Sequence, residues 1–216
     1  IEAAAPVIHA FGGAFLLLVA LKYFLDEYKE THWIPYVERR LALWGKVEAI
    51  GVAITLGILL LAAQLSPAHA AEILSAGVVG IILFVILEGL VELLGTSAKK
   101  VAGGGFAMFM YLELLDAAFS LDGVIGAFAL TTELVIIFVG LGLGALFVRS
   151  FTLLLVERKT LANLIYLEHG AYWAIFSLAF YMFAMLVAHV PEAVAGIASV
   201  FFLGAAYISS VKAQKK

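Results

Sequence analysis

The chain has 216 residues, a formal net charge of −3 and a hydrophobic content of 64%. Helices of that composition are hydrophobic all round, so we expect a polytopic membrane protein. The small net charge, without a basic patch interleaved with aromatic residues, gives no indication of nucleic-acid binding. The sequence has no cysteine, which excludes disulfides, thiolate metal sites, iron–sulfur clusters and c-type haem attachment.

Apolar segments long enough to cross a bilayer follow one another along the chain, since a membrane-spanning helix takes roughly 20 residues. The predicted segments cover residues 7–25, 47–64, 72–94, 106–130, 133–156, 166–189 and 191–211. The expected fold is therefore all-α: a polytopic membrane helical bundle of about seven transmembrane helices. With no soluble portion left over, we expect a single domain over residues 1–216.

The longest connection in this arrangement covers residues 26–46. Pro35 can open a short helix there, because proline lacks only an N–H that is unused at a helix start. The residues that share the apolar face of this helix are Val37, Leu41 and Trp44. Glu38 would lie outside that face. We interpret the segment as an interfacial helix without a chemical role, with its aromatic side chains at the level of the lipid headgroups.

All 13 basic residues fall on one side of the seven-span arrangement. They occupy the odd-numbered connections, the C-terminal tail and the helix ends beside them. The positive-inside rule assigns that side to the cytoplasm. We therefore expect the N-terminus outside and the C-terminus in the cytoplasm.

The predicted span from Phe106 to Leu130 contains three acidic residues, Glu113, Asp116 and Asp122, together with Ser120. A carboxylate near the bilayer centre costs at least about 2.5–3.5 kcal/mol, so three in one span indicate a role beyond anchoring. At 100° per residue, the first two acids and the serine lie within about 60° of one another. Asp122 would point to the opposite side of a continuous helix.

A break in the helix at Ser120–Gly123 would bring Asp122 round to the other acids, since glycine permits an unwound backbone. The same break would free carbonyl oxygens, as discontinuous helices do at ion sites in transporters. Carboxylate, hydroxyl and carbonyl oxygens are the ligands of Mg²⁺, Ca²⁺ and Mn²⁺. The sequence therefore predicts one discontinuous helix and a divalent-cation site within it.

We expect Asp116 and Asp122 to be the primary ligands of this site, Glu113 and Ser120 to be secondary ligands, and Glu88 to lie on the cytoplasmic path. One alternative is an ion pair between Arg149 and Glu88 or Glu113, which share a similar depth in the membrane. Another is that the aspartates are protonated and only pack. We expect no tightly bound cofactor, with Mn²⁺ or Ca²⁺ as the transported ion.

The histidines give weaker indications. His32 lies in a connection and is interpreted as interfacial, whereas Glu168 and His169 open the sixth segment as a helix start or as an entry ligand. The sequence lacks zinc-protease, lipase, Walker and dinucleotide-binding motifs. An intramembrane aspartyl protease needs its two aspartates on facing helices, but Asp116 and Asp122 share one span. We therefore expect no enzymatic activity.

The run YLELLDAAFSLDGVIGAFALTTELVIIFVGLGLGALFVRS, from Tyr111 to Ser150, resembles the TerC family of integral membrane proteins. Two further stretches, YLEHGAYWAI from Tyr166 and FGGAFLLLVALKYFLDE from Phe11, are similar to a subgroup known only as a domain of unknown function. The resemblance implies transport of metal cations, foremost manganese export, with older links to tellurite resistance. The family's acidic motif would fall on Glu113, Asp116, Ser120 and Asp122.

The resemblance also implies a location and partners. An inner or plasma membrane is expected, or a thylakoid-type membrane, since chloroplast relatives are associated with thylakoid protein insertion. The expected partners are the lipid bilayer and a divalent metal ion, with a homo-oligomer or a larger membrane complex left open. The alternative function is that of a non-transporting accessory or assembly subunit.

This sequence departs from the subgroup in one respect. Its members are similar to a longer chain with a second acidic motif, of Ser–x–x–Asp–Asn character, in the N-terminal half. Nothing before Phe106 matches that motif, and the sequence begins at Ile1 without a methionine. We therefore expect this chain to correspond to the C-terminal portion of the usual protein.

Overall fold

The computed structural model describes residues 5–26, 29, 31–45, 47, 49–98, 109, 133–157, 164–191 and 193–214. Within these residues the fold is all-helical, with seven α-helices and no strand. The helices are α1 (Ala5–Phe24), α2 (Pro35–Trp44), α3 (Ile50–Leu65), α4 (Ala70–Ala98), α5 (Leu134–Glu157), α6 (Leu167–Met185) and α7 (Ala193–Gln214). A short 3-10 helix, Pro67–His69, leads into α4.

The predicted apolar segments agree with the observed helices wherever the chain is described. Six of them correspond to α1, α3, α4, α5, α6 and α7, and the short helix opened by Pro35 is confirmed as α2. The remaining segment, 106–130, lies outside the described residues except for Phe109, and so does the predicted break at Ser120–Gly123.

Among the described residues, three helices are long and apolar enough to cross a membrane: Ala5–Phe24, Pro67–Gly89 and Ala193–Gln214. Two shorter apolar helical stretches, Ile50–Leu65 and Leu134–Ser150, accompany them. The seven-span arrangement as a whole stays a prediction.

Two compact units can be distinguished in the chain. Residues 2–82 and 159–216 form the first, and residues 83–158 form the second. In the first unit, α1 packs against α2, α3 and α6, and α6 packs against α7. Large side chains on several sides of α1, including Phe15, Leu17 and Phe24, are buried. Because this helix is apolar all round, it forms the centre of the unit.

The second unit includes α5, an apolar helix whose described side chains are mostly exposed. Val135 and Phe138 are examples, whereas Ile137 is buried. Extended exposed apolar surface of this kind marks a protein–protein or membrane interaction site. The exposure is therefore consistent with the lipid environment expected from the sequence.

Glycine allows two pairs of helices in the first unit to approach closely. A Cβ atom added at Gly170 of α6 would lie 2.9 Å from the carbonyl oxygen of Phe202 on α7 and would also clash with the methyl group of Ala206. Similarly, a Cβ atom at Gly80 of α4 would lie 2.5 Å from the carbonyl oxygen of Phe11 on α1. Small residues at such points let helix backbones pack directly against each other.

We predict that Gly170→Ala lowers the free energy of unfolding by about 1–3 kcal/mol, because the added methyl group overpacks a contact with backbone atoms. Gly204→Ala is the matched control on α7, where a Cβ would meet no described atom within 4 Å. That control should be neutral or should stabilise by roughly 0.5–1 kcal/mol through its higher helix propensity. Thermal unfolding of both variants in detergent measures the difference, and equal melting temperatures would contradict the close packing of α6 on α7.

Candidate functional site

The predicted metal ligands fall mainly in the part of the chain that is not described. Glu113, Asp116, Ser120 and Asp122 lie outside the described residues. Glu88 is described and lies half-buried on α4. Within the described ranges, no group of three or more histidine, aspartate or glutamate side chains is placed to hold a metal ion. The metal site therefore stays a prediction.

Arg149 was considered as an ion-pair partner of Glu88 or Glu113. It lies on α5 with its side chain exposed. Its pairing with Glu113 would involve a residue outside the described ranges. The role of Arg149 as a neutralising charge therefore also stays a prediction.

A polar cluster that the sequence analysis did not predict lies where the first connection meets α1 and α6. We call it the Glu38 cluster, after its fully buried carboxylate. Its members are Tyr23 of α1, Lys29 and His32 of the connection, Glu38 of α2, and His169 and Trp173 of α6. Residues far apart in the sequence thus converge on one buried acid.

The carboxylate of Glu38 accepts four hydrogen bonds. Oε2 accepts from Lys29 Nζ at 3.0 Å and from the backbone N–H of Trp33 at 3.2 Å. Oε1 accepts from Trp173 Nε1 at 3.1 Å and from the backbone N–H of Ile34 at 3.3 Å. An ionised carboxylate has about four acceptor sites, so this one is saturated. It has no lone pair left for a metal ion and serves to hold the surrounding elements together.

The local sequence explains why Glu38 turns inward. Pro35 occupies the first helical turn, and Ile34 before it cannot cap the helix with its side chain. Glu38 instead reaches back to the N–H groups of residues 33 and 34, much as the acid of a capping box bonds the backbone before a helix. A carboxylate near the positive end of a helix gains further stability from the helix dipole.

The interpretation of α2 is therefore corrected on two points. Glu38 faces the protein interior, whereas the predicted apolar face member Trp44 is exposed. The segment also has a structural role, since it supplies both members of the buried ion pair between Lys29 and Glu38. The sequence analysis considered only apolar spacing and did not predict the burial of Glu38, whereas the exposure of Trp44 agrees with its expected place at the headgroups.

The pKa of Glu38 reflects two opposed effects. Burial alone would raise it, but the hydrogen bonds from Lys29, Trp173 and Ile34 and the charge of Lys29 hold the pKa of this carboxyl below its usual range. Donors to the charged form stabilise that form. The carboxylate is therefore ionised in the folded protein at neutral pH, and Lys29 neutralises it.

Aromatic rings extend the cluster on the side of Lys29. Its Nζ lies 3.9 Å from the centroid of the Tyr23 ring, within the range of a cation–π interaction. The Tyr23 ring stacks on Tyr172 of α6 at a centroid distance of 3.8 Å. The Tyr23 hydroxyl also contacts Nδ1 of His169. These contacts hold the C-terminal end of α1 against the start of α6, beside the ammonium group of Lys29.

The two histidines of the cluster differ in their surroundings. His169 is buried, and its Nε2 has no hydrogen-bond partner among the described residues. Nδ1 of His32 lies 3.6 Å from Glu38 Oε2, beyond hydrogen-bond distance. His169 was predicted as a helix start or an entry ligand, and the structure places it in the first turn of α6, where its Nδ1 contacts the hydroxyl of Tyr23. Its proposed role as an entry ligand is not tested.

The sequence contains one signal that could have revealed the cluster. Glu38 is the only acid among residues 35–46, and it follows Pro35 by three positions. An acid at that distance from a helix start is suited to bonding the backbone N–H groups that precede the helix. Its partners Lys29 and Trp173 could not have been inferred from spacing, since Trp173 is 135 residues away.

We predict that Glu38→Ala lowers the free energy of unfolding by about 3–5 kcal/mol, because it leaves the ammonium group of Lys29 buried without its counter-charge. The side chain of Lys29 is only 8% exposed, so water cannot easily replace the lost carboxylate. The matched control is Glu72→Ala, since Glu72 is exposed and its contact with His69 lies at the surface. That control should change stability by less than about 1 kcal/mol. Similar melting temperatures for the two variants would contradict a structural role for the cluster.

The lowered pKa of Glu38 also predicts a pH dependence of stability. Its contribution is fully present above the ordinary pKa of 4.5 and is lost as the pH falls through the lower pKa of the folded state, because the unfolded chain binds the proton first. Chemical unfolding at several pH values between about 3 and 5 would measure the slope. Glu38→Gln, which cannot titrate, should give a shallower slope in that window, and an unchanged slope would contradict the assignment.

Comparison with known proteins supports only a broad classification. No curated protein and no solved structure matches the chain. Residues 1–216 match the family described as "Protein of unknown function (DUF475)". Because that match covers the whole chain, the protein belongs to the DUF475 family.

Proposed function

We propose that the protein is an integral membrane transporter of divalent metal cations, and that it exports Mn²⁺ through intramembrane carboxylates. The observation that carries this proposal is the sequence from Phe106 to Leu130, which combines an apolar span with Glu113, Asp116 and Asp122. Such acids are too costly in hydrocarbon to persist without a partner, and they mark ion pathways in membrane proteins. The resemblance to the TerC family supports the same function.

The membrane setting is supported by three helices that are long and apolar enough to span a bilayer. We propose that the chain lies in an inner or plasma membrane, or in a thylakoid-type membrane, with its N-terminus outside. The support for this orientation is the distribution of the 13 basic residues, which all fall on one side of a seven-span arrangement.

Two carboxylates at helical positions have different proposed roles. Glu88 lies half-buried within the apolar helix α4, which suits a residue on the cytoplasmic path of a cation. Glu38, by contrast, is saturated by four donors and neutralised by Lys29. A transported cation needs ligands that can exchange their partners, so the proposed path runs through Asp116 and Asp122 and does not include Glu38.

We predict that Asp122→Asn, and likewise Asp116→Asn, abolishes Mn²⁺ transport while leaving the protein folded, since an amide keeps the shape of the ligand and removes its charge. The measurement is Mn²⁺ flux into proteoliposomes that contain a metal-sensitive dye. Glu72→Gln is the matched control, because it removes a carboxylate that is exposed at the start of α4. Its flux should equal that of the unmodified protein.

Melting temperatures of all three variants show whether they remain folded. Flux at the unmodified rate in Asp122→Asn would contradict the ligand assignment. Absence of flux in the unmodified protein, together with co-purification of other membrane proteins, would favour the alternative function of an accessory or assembly subunit. Replacing Mn²⁺ by Ca²⁺ or Mg²⁺ in the same assay identifies the preferred cation.

A further inference from the structure

The fold separates charges in α2 that the sequence places side by side. Glu38, Arg39 and Arg40 are consecutive, so the helix looks nearly neutral in the sequence. In the structure Glu38 is buried and paired with Lys29, whereas Arg39 and Arg40 are exposed. The outer face of α2 therefore carries positive charge only.

Apolar and aromatic side chains share this outer face with the arginines. Tyr36, Leu43 and Trp44 are 70%, 63% and 59% exposed. The guanidinium of Arg40 lies 4.3 Å from the centroid of the Tyr36 ring, which holds its charge beside an aromatic surface. Arginines next to exposed tryptophan, tyrosine and leucine are typical of helices that lie in the membrane–water interface.

The position of α2 in the chain fits that environment. It begins 11 residues after the end of α1, which is long and apolar enough to span a membrane. The hydrogen bond from Trp173 to Glu38 holds the inner face of α2 against α6, and α2 also packs against α1. If α1 spans the membrane, a helix held at its end lies at the level of the headgroups, with its outer face towards them.

Charge complementarity decides which headgroups this face would bind. Among the residues that the structure describes, no acid pairs with Arg39 or Arg40. Two guanidinium groups that no described acid neutralises attract phosphate, which arginine can bind with two parallel hydrogen bonds. A zwitterionic headgroup carries its own ammonium group beside the phosphate, so its net charge is zero. An anionic headgroup keeps a net negative charge, which the two arginines attract.

We propose that the outer face of α2, formed by Tyr36, Arg39, Arg40, Leu43 and Trp44, binds the headgroups of anionic phospholipids. This lipid site is separate from the proposed cation path and does not depend on the transport proposal. The arginines bind the headgroup phosphates, and the three other side chains occupy the interface beside the upper acyl chains.

The lack of native cysteine allows a direct test on the full chain. The variant Leu43→Cys, labelled with an environment-sensitive fluorophore, carries its only probe on the outer face of α2. The labelled protein in neutral detergent is titrated with dihexanoylphosphatidylglycerol and, separately, with dihexanoylphosphatidylcholine. We expect saturable binding of the anionic lipid at lower concentration than any response to the neutral one, and a weaker affinity at high salt.

Charge variants in this labelled background identify the groups responsible. Each of Arg39→Gln and Arg40→Gln should weaken binding of the anionic lipid about fivefold, and the double variant roughly thirtyfold, since one arginine near an anionic surface contributes about 1 kcal/mol. The double lysine variant, Arg39→Lys with Arg40→Lys, should retain most of the affinity. Lys212→Gln is the matched control, because it removes one exposed charge at the end of α7.

Three outcomes would overturn the proposal. The first is equal affinity for the two lipids when the labelled protein keeps both arginines. The second is an unchanged preference for the anionic lipid in the double variant Arg39→Gln with Arg40→Gln. The third is a loss in Lys212→Gln as large as that in Arg40→Gln, which would mean that the overall charge of the protein, rather than this face, attracts the lipid. Because all substituted residues are exposed, the variants should fold, and their melting temperatures in detergent verify it.

Discussion

The buried ion pair between Lys29 and Glu38 is the interaction on which the first unit of the structure depends. Removing two charges from water costs several kcal/mol per ion, and their attraction offsets this only when further hydrogen bonds satisfy the carboxylate. Here those bonds come from the backbone before α2 and from Trp173 of α6. A shift of the first connection relative to α6 would therefore remove the hydrogen bond that Trp173 donates to the buried carboxylate of Glu38.

This constraint separates two kinds of acid in the same chain. Glu38 is held by donors on every side, so its partners are fixed and it acts as a structural anchor. The acids of residues 106–130 have no basic residue within their own span, which contains neither lysine nor arginine. A carboxylate that is not saturated by fixed donors keeps lone pairs for an exchangeable cation, and the transport proposal assumes such acids in this span. The proposed division between anchor and transport path follows from that difference.

The sequence predicted much of the helical fold but only part of the chemistry. Long apolar runs and Pro35 sufficed to predict α1, α2 and the other described helices, because length, hydrophobicity and a proline at a helix start are local signals. The burial of Glu38 was not predicted, because it depends in part on Trp173, which lies 135 residues away. Of the predicted metal ligands only Glu88 is among the described residues, so the cation site rests on sequence and on resemblance.

The orientation of α2 connects the anchor to the membrane surface. In a helix with one acid and two adjacent arginines, the acid offsets one of the two positive charges unless it is removed from the outer face. The Glu38 cluster accomplishes this by burying the carboxylate and neutralising it with Lys29, a charge from outside the helix. Within α2, the same interaction that secures the first connection thus leaves Arg39 and Arg40 as the charges on the exposed side. A structural ion pair in this way creates a basic surface that the local sequence alone does not reveal.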